Sequence, residues 1–307
     1  MVLGLSLGLS GCGGESGNKQ LSLGEAKVTT PAISTEGVLK VGVSSNKTPF
    51  SGMSQNGIIG LDVDIAAAIA DLLGLRLQLV DIVGMDNATI GEMFINGELD
   101  LVMSYQTDDR SSSPFSTVGP YLMDGPAVFT ASNKLTSGDF DADNVFGLLG
   151  YRIATQAGTL SSWIIENRYG SDILDQYPNI EDAFRSVNDG TVDYAAADII
   201  IGAFLCRSNY PDIQCVAYLQ RSEGVFVAIA PGNQELTQAC KDALTTLRDN
   251  GVLQLLIRKW LGQPATELVF DPIAIVSADS QVVPDGGEGL PDPENSDINP
   301  NPGDEGF

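Results

Sequence analysis

The chain has 307 residues, enough for one large domain or two ordinary ones, and 43% of them are hydrophobic, so it can bury a sizeable core. Its formal net charge is −24, from 40 acids against 16 Lys and Arg, with no His. That balance repels the phosphates of nucleic acid and offers no basic patch to an anionic lipid surface, while cysteine nucleophiles have no histidine to activate them.

The first residues, MVLGLSLGLSGCGGESGNK, form an apolar run of signal-peptide length followed by a Gly/Ser-rich stretch. Residues 1–12 are expected to be a truncated signal peptide. Leu9-Ser10-Gly11-Cys12 resembles the bacterial lipobox, which implies lipidation at Cys12 and an anchor on the outer face of the cell membrane, or a periplasmic location. Residues 13–36 then read as a flexible tether. No segment reaches the roughly 20 apolar residues that a spanning helix requires.

From Val38 the pattern alternates between strand and helix. LKVGVS is a strand, a loop follows through Thr48-Pro49-Phe50, and GLDVDIAAAIADLLG is a helix with Asp62 and Asp64 at its positive end. LRLQLVDI is a strand, NATIGEMFING a helix and LDLVMS a strand. MFINGELDLVMS (93–104) and RSVNDGTVDYAAAD (185–198) share one order: helix end, Asn, Gly or Asp-Gly, a later Asp, then an apolar strand. Asp100 and Asp193 are the matching turn acids, and the recurrence predicts two similar α/β lobes. The second would start with the strand YRIATQAGT and the helix LSSWIIENRYG. PAVFTAS (126–132) and EGVFVAIA (223–230) are the two crossings between lobes. NQELTQACKDALTTLRDNGVLQLLIRKWLG is a helical pair closing the first lobe. Residues 271–307 hold nine acids and no Lys or Arg, leaving −15 for the rest, and are expected to be a disordered acidic tail. The expected division is 37–128 with 225–270 for lobe one and 129–224 for lobe two.

Residues 194–201, YAAADIII, read as a buried strand or strand end, and Asp198 lies inside that run. A carboxylate there costs several kcal/mol unless a cation meets it. Either a distant Arg such as Arg207 pairs with it, or its partner is a molecule the protein binds. In an exported, oxidising setting Cys206 and Cys215, flanking RSNYPDIQ, are placed to form a disulfide across that loop, with Cys240 a buried thiol.

Three stretches now carry a resemblance. GLDVDIAAAIADLLG, TDDRSSSPFSTVGPY and LTTLRDNGVLQLLIRKWLG, in this order and spacing, resemble motifs of the extracellular solute-binding proteins of family 3, the polar amino-acid receptors of ABC importers. The resemblance covers roughly residues 36–264. It implies a two-lobed α/β fold of the periplasmic binding protein type II class, with a two-strand hinge and an interlobe cleft. It also implies an amino-acid ligand whose carboxylate meets Arg110 and whose ammonium meets Asp198. A guanidinium fork matches a carboxylate in a way that lysine cannot, and a zwitterion leaving water needs both charges met. Arg110 also has Asp108 and Asp109 beside it as alternative partners. Gly158 and Thr159, at a helix start where free N–H groups favour an anion, join the expected binding set. So do Phe50, which can stack on the ligand, and Ser104 and Thr107. Tyr105 and Trp163 are candidate cleft aromatics.

The expected function is therefore the extracellular binding component of an ABC importer: a monomer that closes on an amino acid and delivers it to the membrane permease. No enzyme activity, cofactor or metal is expected. The alternatives are a cyclohexadienyl-type dehydratase of the same fold, with Asp198 or Glu223 as its acid, or a ligand-sensing module. One departure stands out. DLVMSYQTDDR is about two residues shorter than the family pattern between the strand Asp and the Arg, and VGVSSNKT lacks the acid usual before Pro-Phe. Both point to a pocket that differs in detail.

Overall fold

A computed structural model describes residues 24–106, 113–132, 151–220, 222–262 and 274–276. Cys12, Thr107 and Arg110 lie outside the described residues, as do residues 13–23 of the expected tether and all but three residues of the expected tail. The described end of the tether packs against the body of the protein: Val28 and Ile33 are buried in its core, and Lys27 N–H bonds Leu73 O at 2.9 Å.

The apolar run VLKVGV forms β1 (Val38–Val43), with five of its six residues buried. A strand covered on both faces reads as a continuous apolar run, and β1 is flanked by parallel neighbours, β5 (Arg76–Asp81) and β6 (Leu101–Tyr105). Between β1 and β5 come a small antiparallel sheet of β2 (Asn46–Lys47), β3 (Ser51–Ser54) and β4 (Gly57–Ile59), and then helix α1 (Leu61–Leu72). Helix α2 (Asn87–Ile95), capped by the Asp86 side chain on Thr89 N–H, links β5 to β6. Strand β7 (Ser116–Asp124) is the last of this sheet before the chain leaves it at Gly125.

The second sheet holds β8 (Pro126–Ala131), β9 (Ile153–Gln156), β10 (Leu174–Tyr177), β11 (Tyr194–Asp198) and β12 (Ile213–Tyr218), in the order β10-β9-β11-β8-β12. Its helices are α3 (Leu160–Tyr169), α4 (Ile180–Asn188) and α5 (Ile199–Ser208). The chain returns to the first sheet as β13 (Glu223–Ile229), then forms α6 (Gln234–Asp249) and α7 (Val252–Leu261). An edge strand, β14 (Ala274–Val276), gives that sheet the order β14-β7-β13-β6-β1-β5, so three residues of the expected tail pair with β7.

The repeated Asn-Gly-Asp pattern has a matched structural cause. Helices α2 and α4 both end on a glycine with positive φ, Gly97 at 69° and Gly190 at 73°. In each, the next N–H reaches five residues back: Glu98 to Met93 O and Thr191 to Ser186 O, both at 2.9 Å. The following acids then bond a neighbouring backbone, Asp100 accepting from Lys40 N–H at 2.7 Å and Asp193 from Arg152 N–H at 3.4 Å. The two family-like motifs at opposite ends of the chain also meet: Asp64 of α1 accepts from both the Lys259 ammonium and the Trp260 indole of α7, each at 2.6 Å.

Two expectations need correction. Strand β11 ends at Asp198, and Ile199 already opens α5, so residues 194–201 are not one strand. The β-branched run favours a strand locally, but packing overrides it. Gly202 lets the helix press onto Phe129 of β8, where an added Cβ would come within 2.0 Å of the ring. The expected Cys206–Cys215 disulfide is not formed; both are free thiols. They do not flank a pliable loop, since Cys206 is held within α5 and Cys215 within β12, at a bulge where its thiol faces Ala217 O at 3.9 Å. Burial pushes the two thiols up to about 12 and about 11, so both stay protonated. Cys240 is a buried thiol, as expected.

Candidate functional site

Gly60, at φ 155°, ends the turn before α1, and an added Cβ would sit 2.1 Å from Phe50 O. This close approach lets Asp62 N–H bond Phe50 O at 2.9 Å and tucks the first turn of α1 beneath the Phe50 backbone. Asp62 is thereby 1% exposed. Its carboxylate accepts from Tyr121 OH at 2.7 Å and from Ser104 Oγ, while Tyr121 OH accepts from Ser104 N–H at 2.9 Å. Ser104 adopts φ 53°, in the left-handed region, to complete this triangle. Burial raises the Asp62 pKa, and the two hydroxyls and Lys47 oppose the rise. Tyr121 is held well above its ordinary value by burial and by Asp62, so it remains a neutral donor.

Lys47 stands over the Phe50 ring, 5.0 Å from its centre, and donates to Gln106 Oε1 at 3.3 Å. Its positive charge lowers the pKa of three acids at once: Asp62, Asp124 and Asp198. Asp124 ends β7 and is 7% exposed, its Oδ1 accepting from Gly125 N–H at 3.0 Å and Ile200 N–H at 3.3 Å. Burial and the neighbouring Asp198 charge push it up to about 6. Asp198 closes β11, half-buried, and burial raises it against Lys47. No side-chain hydrogen bond to the Asp198 carboxylate is made by any described residue, and among the described residues the cationic influence on it is the field of Lys47. Asp124, the more buried member of the pair, is the one whose carboxyl the repulsion raises.

Of the residues expected from sequence, Phe50 lies against Lys47, Ser104 bonds Asp62, and Asp198 shares with Asp62 the field of Lys47. Phe50 is 2% exposed, with its ring beneath the ammonium. Tyr105 points to the other face of β6, where it packs on Phe115 at 5.6 Å and accepts from Ser113 Oγ at 3.1 Å. Gly158, exposed at φ 73°, precedes α3. Thr159 caps that helix, accepting from Ser162 N–H and donating to Gln156 O. Trp163 is 62% exposed on the same helix. No described contact joins Gly158, Thr159 or Trp163 to Lys47 or Asp198. A groove of about 380 Å³ between the end of α1 and α6, lined by Leu72, Glu235, Gln238 and Asp242 among others, is separate from this cluster.

Lys47, Asp124 and Tyr121 were not singled out by sequence reasoning. The signal for Asp124 was present: it is an acid directly after an apolar strand and before Gly-Pro, at a crossing between sheets. Among the described residues no helix is long and apolar enough to cross a membrane. No group of three Cys, Asp or Glu is arranged to hold a metal ion among them either.

Residues 39–263 match the model of the bacterial extracellular solute-binding proteins, family 3. The chain belongs to this family. It is 25% identical over 247 residues to the L-cystine-binding protein TcyJ of Escherichia coli (strain K12), covering 76% of this chain and 86% of that one. To the arginine-binding extracellular protein ArtP of Bacillus subtilis (strain 168) it is 26% identical over 266 residues, 82% of this chain and 90% of the relative. Among solved structures it is similar to a polar amino acid ABC uptake transporter substrate binding protein from Streptococcus thermophilus. The TM-score is 0.65 at 21% identity, covering 78% of this chain and 90% of the other. These family members establish the two-lobed periplasmic binding protein fold for the two sheets described above.

Proposed function

We propose that the chain is the extracellular binding component of an ABC importer, which takes up one amino acid between its two sheets and delivers it to the permease. The single observation that supports this best is Asp198. It is a half-buried acid at a strand end, raised by burial, with no side-chain hydrogen bond from the described residues. An α-ammonium would supply the missing charge, while Arg110 would take the α-carboxylate in a two-pronged bond. The chain crosses between sheets at Gly125, between β7 and β8, and again between β12 and β13, and those two crossings serve as the hinge. Only the closed form would contact the ligand from both sides, so binding shifts the population toward closure. Cys12 is the proposed lipid anchor.

The test is calorimetric titration of unfolded and refolded protein with the twenty common L-amino acids and L-cystine, beside Arg110→Ala and Asp198→Ala. Micromolar or tighter binding of one amino acid, lost in both variants, is the expected result. A folded protein that binds none of them refutes the reading. Incubation of the same sample with prephenate and arogenate tests the dehydratase alternative, for which no turnover is expected.

A further inference from the structure

Each of the described α-helices that opens on a residue with a polar side chain is capped by that side chain, with one exception. Asp86, Thr159, Asn179 and Asn233 all accept from an N–H in the first turn of their own helices. Asp198 opens α5 with extended backbone, φ −62° and ψ 139°, and belongs to a residue type strongly favoured for capping, yet its side chain makes no cap bond. The first N–H groups of α5 are met instead from the far side of the crossing between sheets. Ile199 N–H bonds Gly125 O at 2.8 Å, and Ile200 N–H bonds Asp124 Oδ1 at 3.3 Å.

We propose that Asp124 is a positioning residue for the binding site: it caps α5 in place of Asp198, and so keeps the Asp198 carboxylate free for a ligand ammonium. The role rests on the amino-acid reading of Asp198. Without Asp124, an open N–H at Ile200 would draw the Asp198 carboxylate back onto its own helix, as Asp86 is drawn onto α2. The exchange of caps carries a cost, because two acids then lie close together, and the Asp198 charge adds to burial, the larger cause, in pushing Asp124 up to about 6. The charged groups around Asp124 are Asp198, Lys47 and, opposite it in the β13 register, the exposed Glu223. The arrangement also ties α5 of the second sheet to the end of β7 in the first, at the first crossing.

The experiment is a carboxyl ¹³C and amide NMR titration of the ligand-free protein, with Asp124→Ala and Asp124→Asn beside the wild type. In the wild type the Ile200 amide shift should follow the titration of Asp124. In Asp124→Ala the Asp198 carboxylate should turn to cap Ile200, and its pKa should fall, in the direction in which capping lowers Asp86. Asp124→Asn retains the acceptor oxygen and should keep Asp198 off the helix, with no such fall. An Ile200 amide that follows Asp198 in the wild type overturns the proposal, and needs no variant to fold. An Asp198 titration unchanged in folded Asp124→Ala overturns it as well. Neither readout uses an amino acid, so failure of the binding reading appears in the calorimetry and failure of this one in the NMR titration.

Discussion

Asp124 links the pH of the medium to the stability of the fold, and the effect can be sized. Its carboxyl is pushed from 3.8 up to about 6 by burial and by Asp198. Folded protein therefore keeps a proton on Asp124 at pH values where the unfolded chain has lost it. Stability contributed by this group is greatest below about pH 3.8 and declines as pH rises to about 6. Moving the carboxyl from 3.8 to about 6 makes the complete decline about 3 kcal/mol, at about 1.36 kcal/mol for each tenfold change in proton affinity. At 7% exposure the group is little screened by water, so the figure needs no large discount. Asp124→Asn keeps the acceptor for Ile200 and Gly125 but does not titrate. The wild type minus Asp124→Asn difference in unfolding free energy should therefore fall by about 2.4 kcal/mol between pH 4, where the unfolded carboxyl is already partly ionised, and pH 7, and be flat above. Urea unfolding at half-unit pH steps measures it, since titrations common to both proteins cancel in the difference. A difference that stays constant across the window, or that grows with pH, refutes the account of Asp124 as a buried acid repelled by Asp198.

Four further outcomes follow from the same geometry. Tyr121→Phe removes a hydroxyl from a buried carboxylate and the acceptor of Ser104 N–H, and should cost about 3–5 kcal/mol in urea unfolding; a loss under about 1 kcal/mol would discount the triangle. Ser104→Ala and Ser104→Gly both lose the bond to Asp62, but glycine relieves the left-handed backbone, so the glycine variant should be more stable by about 1 kcal/mol. Gly202→Ala drives a methyl into the Phe129 ring and should destabilise by about 1–3 kcal/mol, read as a lowered thermal midpoint; an unchanged midpoint contradicts the packing of α5 on β8. Lys47→Met removes the charge that lowers Asp124 and Asp198, so both should titrate higher by NMR, and an unmoved Asp198 would show that Lys47 does not act on it.

Much of the scaffold was legible because its elements obey local rules. Strand β1 is an uninterrupted apolar run, α1 carries an apolar stripe with acids at its start, and α2 and α4 each stop at a glycine that must be left-handed. The boundary at Asp198 was not legible, because three isoleucines in a row satisfy strand propensity as well as a buried helix. Only Gly202, where α5 presses onto Phe129, hinted otherwise. The cysteine pair misled for a related reason. Eight intervening residues look like a loop on paper, whereas the helix and strand on either side extend inward and hold each thiol in place. In the site, residue types could be read but not their company. Asp62 and Ser104 are 42 positions apart, Asp124 and Ile200 76 apart, and no periodicity connects them.

Burial of an acid in an apolar run was the first mark of a binding residue, yet three acids among the described residues, Asp62, Asp100 and Asp124, are more deeply buried than Asp198. Asp100 is met by the Ser34 and Lys40 N–H groups, both at 2.7 Å. Asp62 is met by two hydroxyls and by the positive end of α1. Asp124 is met by two backbone N–H groups and keeps its proton up to about pH 6. Each is satisfied from within the protein, so depth alone does not mark a ligand site. What sets Asp198 apart is less burial with less internal compensation: its helix is capped by another residue, and the Lys47 field it shares with Asp62 and Asp124 is the one cationic influence on it among the described residues. A carboxylate in that position gains more from an arriving ammonium than Asp62 or Asp124 does, because neither of them has an open place to receive one.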